Sequence, residues 1–344
     1  MDRRTVLFFL ITGVFFGGTF VSAKAGLAYL PPLLLLALRF DIAALVLGGY
    51  AIWRFPSTAL QPQTRDDIVA IVATGIVTIG ATNALIFVGQ QHVTSGVASI
   101  IASLNPILTP VFAAVLVSDE RLTHRGAVGM MLGLAGVALV VSPDPANLLG
   151  GSVVGKAVLL AAATAGALGS VLIRWAGGEL SPTVRTAWGL PLAAVFAHLL
   201  SIAAGESTAS VTWTPSAVAA VAYLGVFAGG VAYVTYFDLI DTTGAIHANL
   251  VFYVVPVVAS IGGWALLGEG LSGVAVAGFL IIFGGFTVIG SETLDYPALA
   301  RSAAVTARRR VRRQGSGHSS HDRTADSGGA DDRLDEDATV TQSD

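Results

Sequence analysis

The chain has 344 residues, 54% of them apolar and only 12% charged, with 40 glycines and no cysteine. Sixteen of its 19 basic and 22 acidic residues fall in 296–344, which leaves too few charges to build a water-facing surface over the first 295 residues. A soluble enzyme, a nucleic-acid-binding module, a disulfide framework and a cysteine-ligated metal are thereby excluded, and the net charge of −3 sets up no global field for a polyanion.

Asp2-Arg3-Arg4, an apolar run from Thr5 and the tripeptide Ala23-Lys24-Ala25 imitate a cleavable secretion signal. The run is too long for such a signal and a second one follows almost at once, so a retained first helix over 5–27 is expected. Pro31-Pro32 then opens a second apolar window at 32–53. Further windows lie at 67–89, 94–117 and 124–142, and then at 153–173, 183–203, 215–237, 244–267 and 272–291. Each is near the roughly 20 residues that cross a bilayer as a helix. The expected fold is an all-α membrane protein of ten transmembrane helices. Residues 296–344 form a polar tail, basic from Arg308 and acidic around Asp331–Asp337, expected to be disordered and cytoplasmic.

Arginine placement sets the orientation. With the N-terminus inside, the inner side holds Arg3, Arg4, Arg54, Arg65, Arg121, Arg125, Arg174, Arg185 and the tail arginines, while the outer loops at 90–93, 143–151, 205–214 and 268–271 hold none. A multi-pass cell-membrane protein with both termini cytoplasmic is expected.

The two halves match at an offset of 149–150 residues. Lys24 meets Arg174, Pro32 meets Pro182, Pro106 meets Pro256 and Glu120 meets Glu269. Nine and sixteen residues beyond each Glu stands a glycine: Gly129 and Gly136, then Gly278 and Gly285. The expected units are a first five-helix repeat at 1–142 and a second at 143–295. Five is odd, so the second repeat enters the membrane from the opposite face, the geometry of a secondary transporter with its site near mid-membrane.

Several residues are candidates for a substrate pathway. Lys24 and Arg39 flank the Pro31-Pro32 turn at similar depth, where an ionisable group faces either a cavity or a partner. One reading is an anionic group on a substrate. The other pairs Arg39 with Asp41 or another carboxylate and lets Lys24 reach outward. Ser95, Ser99, Ser103, Pro106 and Pro110 share a face of the fourth span, and Asn249, Tyr253, Pro256, Ser260 and Gly263 one of the ninth. Pro106 and Pro256 would free the carbonyls of Ala102 and Phe252. Asn83 and Asn105 either read a polar substrate or link helices. Tyr233, Tyr236, Tyr253, Phe87 and Trp188 form an aromatic wall or simply pack. His247 reads as a packing residue before a proton relay. Glu120 and Glu269, at opposite membrane boundaries, are candidate gate residues through basic neighbours or facing helix N-termini. No catalytic constellation, metal-ligand cluster, cofactor motif or ATP-binding loop is recognisable.

Together, Gly17-Gly18 with Lys24, Pro32 and Arg39-Phe40, then Pro106, Glu120-Arg121-Leu122 and the helix ending Gly136-Val137-Ala138-Leu139-Val140, resemble the opening half of the EamA-type drug/metabolite transporters. Pro256, Glu269-Gly270-Leu271 and Gly278–Gly285 repeat the pattern, and the resemblance covers about residues 5–291. It implies two inverted five-helix repeats and carriage of a small-molecule substrate, often outward. With ten spans, an inverted repeat and buried cations, the leading expectation is a secondary transporter driven by a proton or sodium gradient or by exchange. A channel and a membrane-embedded enzyme or lipid-handling protein are the alternative classes. The second half departs from the pattern, with Gly270 in place of the arginine and Trp188 or Gly189 where Arg39 would repeat.

Overall fold

The computed structural model describes residues 3–116, 124–141, 151–243, 248, 250–270 and 272–290. Contacts divide the chain into Met1–Glu292 and Thr293–Asp344, and the second unit, with the expected tail, lies outside the described residues. Among the described residues there is no strand, and ten apolar helices follow one another, one of them in two segments. They are α1 (Arg3–Gly26), α2 (Pro32–Arg54), α3 (Arg65–Gln90), α4 in two segments (Ser95–Ala102 and Asn105–Leu116), α5 (His124–Val141), α6 (Gly151–Ala176), α7 (Pro182–Ala203), α8 (Pro215–Thr243), α9 (Val251–Leu267) and α10 (Gly273–Gly290). Six of them are long and apolar enough to cross a membrane, and four are shorter apolar helices. Large apolar side chains cover much of the outer surface, among them Leu45, Ile202 and Leu266. All five tryptophans are exposed, from Trp188 at 48% to Trp53 at 80%. An apolar exterior carrying indole rings is what lipid and its headgroup boundary solvate.

The helix packing has a twofold character. α1 packs on α9 as α6 packs on α4, α2 on α8 as α7 on α3, and α1 on α8 as α6 on α3. The remaining major pairs, α2 with α7, α4 with α9 and α5 with α10, map onto themselves when each helix is exchanged for the one five places along. Two local features fix the register. α3 and α8 each contain nine π-helical residues, Ala73–Ala81 and Tyr223–Val231, at an offset of 150. At the seam of α5 and α10, Gly136 lies so close to Gly278 that a Cβ on either would meet the other's carbonyl oxygen, and Gly285 presses in the same way on Gly129. Exchange of the halves turns one of these contacts into the other. The architecture is two five-helix repeats, interleaved and of opposite sense.

Reciprocal carboxylates tie the repeats. Glu206 Oε1 and Oε2 accept from Leu33 N–H and Leu34 N–H at 3.1 and 2.7 Å, at the start of α2. Asp67, in α3, accepts from Glu179 N–H and Leu180 N–H at 2.8 and 3.2 Å, just before α7. Glu206 satisfies first-turn donors of α2 that have no carbonyl partner within their helix, and Asp67 satisfies donors of the turn before α7.

One expectation is corrected. The fourth span is not a continuous helix bent at Pro106. It breaks at Ser103-Leu104, and Pro106 falls in the first turn of the second segment, where a missing N–H breaks no helical bond. Pro256 does lie inside α9.

Candidate functional site

Within Met1–Glu292 lies a cavity of about 590 Å³, drawn from both repeats. α1 supplies Phe16, Thr19 and Phe20, α2 supplies Arg39, and α3 supplies Thr78, Thr82, Asn83 and Ile86. Ser99, Ala102, Ser103, Asn105 and Thr109 of α4 face Ala163 and Ser170 of α6, Tyr233 and Tyr236 of α8, and Phe252 and Val255 of α9. Both π-helical stretches immediately precede or include lining residues. Close approaches lie within these stretches: Gly75 abuts the Gly189 backbone, and Gly225 and Gly229 abut Ile42 and Ala43. Such π stretches re-aim the side chains that follow and recur at functional sites.

Arg39 is 3% exposed. Its Nη1 donates to Asn83 Oδ1 at 3.2 Å, and Asn83 Nδ2 donates to Ile79 O at 2.8 Å, which fixes the amide orientation. The guanidinium carbon stands 5.4 Å from the centre of the Phe40 ring and 5.6 Å from that of Phe87. Arg39 Nε is buried without a hydrogen-bond partner. Among the described residues no carboxylate pairs with Arg39. The expected alternative partner, Asp41, instead meets His198 Nε2 at 2.9 Å.

The hydroxyls of the lining are turned back on their own helices. Thr19 donates to Phe15 O, Thr78 to Ala73 O, Thr82 to Val77 O, Ser99 to Gly96 O, Ser103 to Ser99 O, Thr109 to Asn105 O and Ser170 to Gly166 O. Their protons are engaged, and lone pairs remain to face the cavity. One corner is aromatic. Phe16 stacks on Phe252 with centroids 5.9 Å apart and planes 9° apart, and it meets Tyr233 and Tyr236 edge-on at 5.4 and 5.8 Å.

Arg39, Asn83, Ser99, Ser103, Asn105 and Tyr233 thus come together on one cavity. Lys24 does not line it. Lys24 Nζ donates to Gln90 O at 2.9 Å and Gln91 O at 3.2 Å, holding the last carbonyls of α3. Tyr253 packs on Phe283 with centroids 4.6 Å apart, Phe87 is buried behind Arg39, and Trp188 donates to Leu60 O at 2.7 Å on the exterior. Neither Tyr253 nor Pro256 is among the lining residues. Asn249, His247 and Glu120 lie outside the described residues, as does the Pro106 side chain.

Glu269 sits at the start of α4, where its Oε2 accepts from Ser95 N–H at 2.9 Å. Gly268, at φ 67°, ends α9 in the left-handed region that glycine adopts without strain, and Glu269 N–H closes back on Gly263 O at 3.0 Å. Lys24 is within electrostatic reach of Glu269. Gln90 Nε2 and Ser95 Oγ both donate to Phe20 O. One polar cluster therefore ties α1, α3, α4 and the α9–α10 turn at the end of the bundle where α3 finishes and α4 begins.

Sequence reasoning missed Phe16, Thr19, Phe20, Thr78, Thr82, Ile86, Thr109, Ala163, Ser170 and Val255 of the lining, and singled out Phe252 only for its carbonyl. The π stretches that aim several of them carry a detectable signal in paired glycines, Gly75/Gly80 and Gly225/Gly230, at the repeat offset.

A solved crystal structure shares the fold at a TM-score of 0.57, with 23% identity over 84% of this chain and 97% of that one. Among proteins of known sequence, an uncharacterized transporter of Archaeoglobus fulgidus is 24% identical over 81% of this chain and 96% of its own length. The uncharacterized transporter YvbV of Bacillus subtilis is 25% identical over 86% and 95%, and the uncharacterized inner membrane transporter YedA of Escherichia coli K12 is 27% identical over 75% and 81%. The EamA-like transporter family model matches twice, at residues 3–142 and 154–291. With both helical repeats matched, the chain belongs to the EamA-like transporter family and is a multi-pass membrane transporter.

Proposed function

We propose that the chain exports a small organic metabolite across the cell membrane by alternating access. Export is driven by a proton or sodium gradient or by exchange, and both termini are cytoplasmic. The observation that carries this reading is the 590 Å³ cavity, lined from both repeats. A cavity shared by two units of opposite sense admits a second conformation in which the units exchange roles and the closed end opens. In this reading the Lys24–Gln90–Ser95–Glu269 cluster closes the outer end, the side that arginine placement assigns to the outside, and the exported solute loads from the inner end. Glu269 acts as the outer gate residue and Glu120, its counterpart in the first repeat, as the inner one.

Purified protein in liposomes, preloaded with a cytosolic metabolite extract, tests this. Saturable counterflow of at least one labelled metabolite is expected. Flux that rises without saturation identifies a channel, and absence of counterflow for every pool overturns the reading. Orientation has a separate check: a tag after residue 290 is expected to be protected from protease in intact cells.

A further inference from the structure

We infer that the carried solute is a small organic monoanion, its carboxylate-sized head on Arg39 and its flat apolar body against Phe16, Tyr233, Tyr236 and Phe252. This rests on the transport reading and names its substrate class.

Charge is the first argument. Arg39 is 97% buried by the exposure above, and of its five N–H donors only one meets a protein acceptor. Its Nε has none, and no carboxylate among the described residues neutralises it. A guanidinium held in a desolvated place without a counter-ion is costly, and an ion that arrives with the ligand removes that cost. Among the described residues the cavity lining contains no acidic side chain, so a cationic solute would meet like charge with no described carboxylate to pair with. One fixed positive charge matches one negative charge, and a dianion would leave an excess.

Donor geometry is the second argument. The hydroxyls of Thr78, Thr82, Ser99 and Ser103 already donate to helix carbonyls. They present lone pairs, which repel a carboxylate and accept from a ligand N–H or O–H. Arg39 is therefore the group to which an anionic head binds, and the hydroxyls suit the weaker donors elsewhere on the solute. Shape is the third. The near-parallel Phe16 and Phe252 rings, with two tyrosines edge-on, make a corner for an unsaturated or aromatic body, in a volume typical of small-molecule sites.

The test compares three probes of one shape on the purified full-length protein: 3-phenylpropionate, 3-phenylpropylamine and 3-phenylpropanol. The readout is the concentration dependence of the thermal midpoint, because a ligand that binds only the native state raises it. The acid is expected to bind at least tenfold tighter than the amine and the alcohol. Arg39→Gln is expected to remove that preference and Arg39→Lys to keep part of it. Equal binding of the three probes, no binding of the acid, or an unchanged acid preference in Arg39→Gln overturns the inference. The comparison of probes on the unaltered chain decides the matter even if Arg39→Gln fails to fold. Failure of the transport reading looks different: Arg39-dependent binding of the acid with no counterflow of any solute. Conversely, counterflow unaffected by Arg39→Lys and Arg39→Gln leaves transport standing and removes the anion site.

Discussion

Lys24 and Arg39 carry the same charge at similar depth on neighbouring helices, and their surroundings give them different work. The ammonium of Lys24 is held by two backbone carbonyls at the end of α3, a site where a cation also meets the negative end of the helix dipole. Arg39 has a single amide for a partner and opens onto the cavity. Replacing Lys24 by Met is expected to lower the stability of the folded protein by about 1–3 kcal/mol, the range for a hydrogen bond to a charged group, in a thermal or denaturant unfolding series. Solute affinity should stay within twofold. A large loss of affinity with unchanged stability would instead place Lys24 on the pathway. The same distinction explains what was readable in these residues. Arg39, Asn83 and Asn105 stand out because a charge or an amide in an apolar span must find a partner. Thr78, Thr82, Thr109 and Ser170 do not, because a hydroxyl satisfies itself on a carbonyl of its own helix and leaves no mark in the hydropathy.

At the scale of elements, helix starts of the first repeat are held by carboxylates of the second. Gly205 and Gly268 both adopt positive φ at the end of a helix, and each is followed by a glutamate that turns onto a neighbouring helix: Glu206 onto α2 and Glu269 onto α4. Asp67 returns the favour at the turn before α7. Glu206→Ala and Asp67→Ala are each expected to destabilise by about 1–2 kcal/mol, as the loss of a helix cap does. Their effects should add in the double variant, since they hold different helices. Glu269→Gln has another expected signature. It keeps an oxygen for Ser95 N–H and removes the charge facing Lys24, so the α3–α4 end should open more often. The natural absence of cysteine makes this measurable. A Ser103→Cys probe should react faster with an impermeant maleimide added from that end when Glu269→Gln is present. An unchanged rate would show that the cluster does not control access. The Gly-Glu pairs are plain in the sequence, but which helix each glutamate reaches depends on packing across the repeats, and no local pattern encodes it. The break in α4 escaped for a related reason, since Pro106 reads equally as an interior kink and as the opening turn of a new segment.

For the molecule as a whole, the ten apolar windows coincide with ten helices to within a few residues at most ends, because a helix that lipid must solvate announces itself by composition. The eighth runs further than its apolar window, through Asp238 and Asp241 to Thr243, since Arg4 reaches Asp238 at 2.8 Å and polar residues continue a helix beyond the hydrocarbon boundary. Duplication was legible in Pro32/Pro182, Pro106/Pro256 and the four spaced glycines. Their pairing was not: equivalence in sequence joins Gly129 to Gly278, whereas contact in space joins Gly136 to Gly278. Gly136→Val is expected to abolish recovery of folded protein, because the new side chain would fall on the Gly278 backbone. Gly284→Val, one helix face away with open space around it, should be recovered normally by size-exclusion chromatography. Equal yields would show that the α5–α10 seam adapts.

That seam also sets where motion can be seen. Under the proposed alternating access, groups on the exchange axis keep the same neighbours when the two units trade shapes, and that axis passes between the Gly136–Gly278 contact and its counterpart Gly129–Gly285. Spectroscopic rulers anchored beside it should register constant separation throughout turnover, while rulers spanning Arg39 and Ser170 lengthen and shorten. The centre of the α5–α10 seam would then furnish a stationary frame against which displacements of the cavity walls are to be measured.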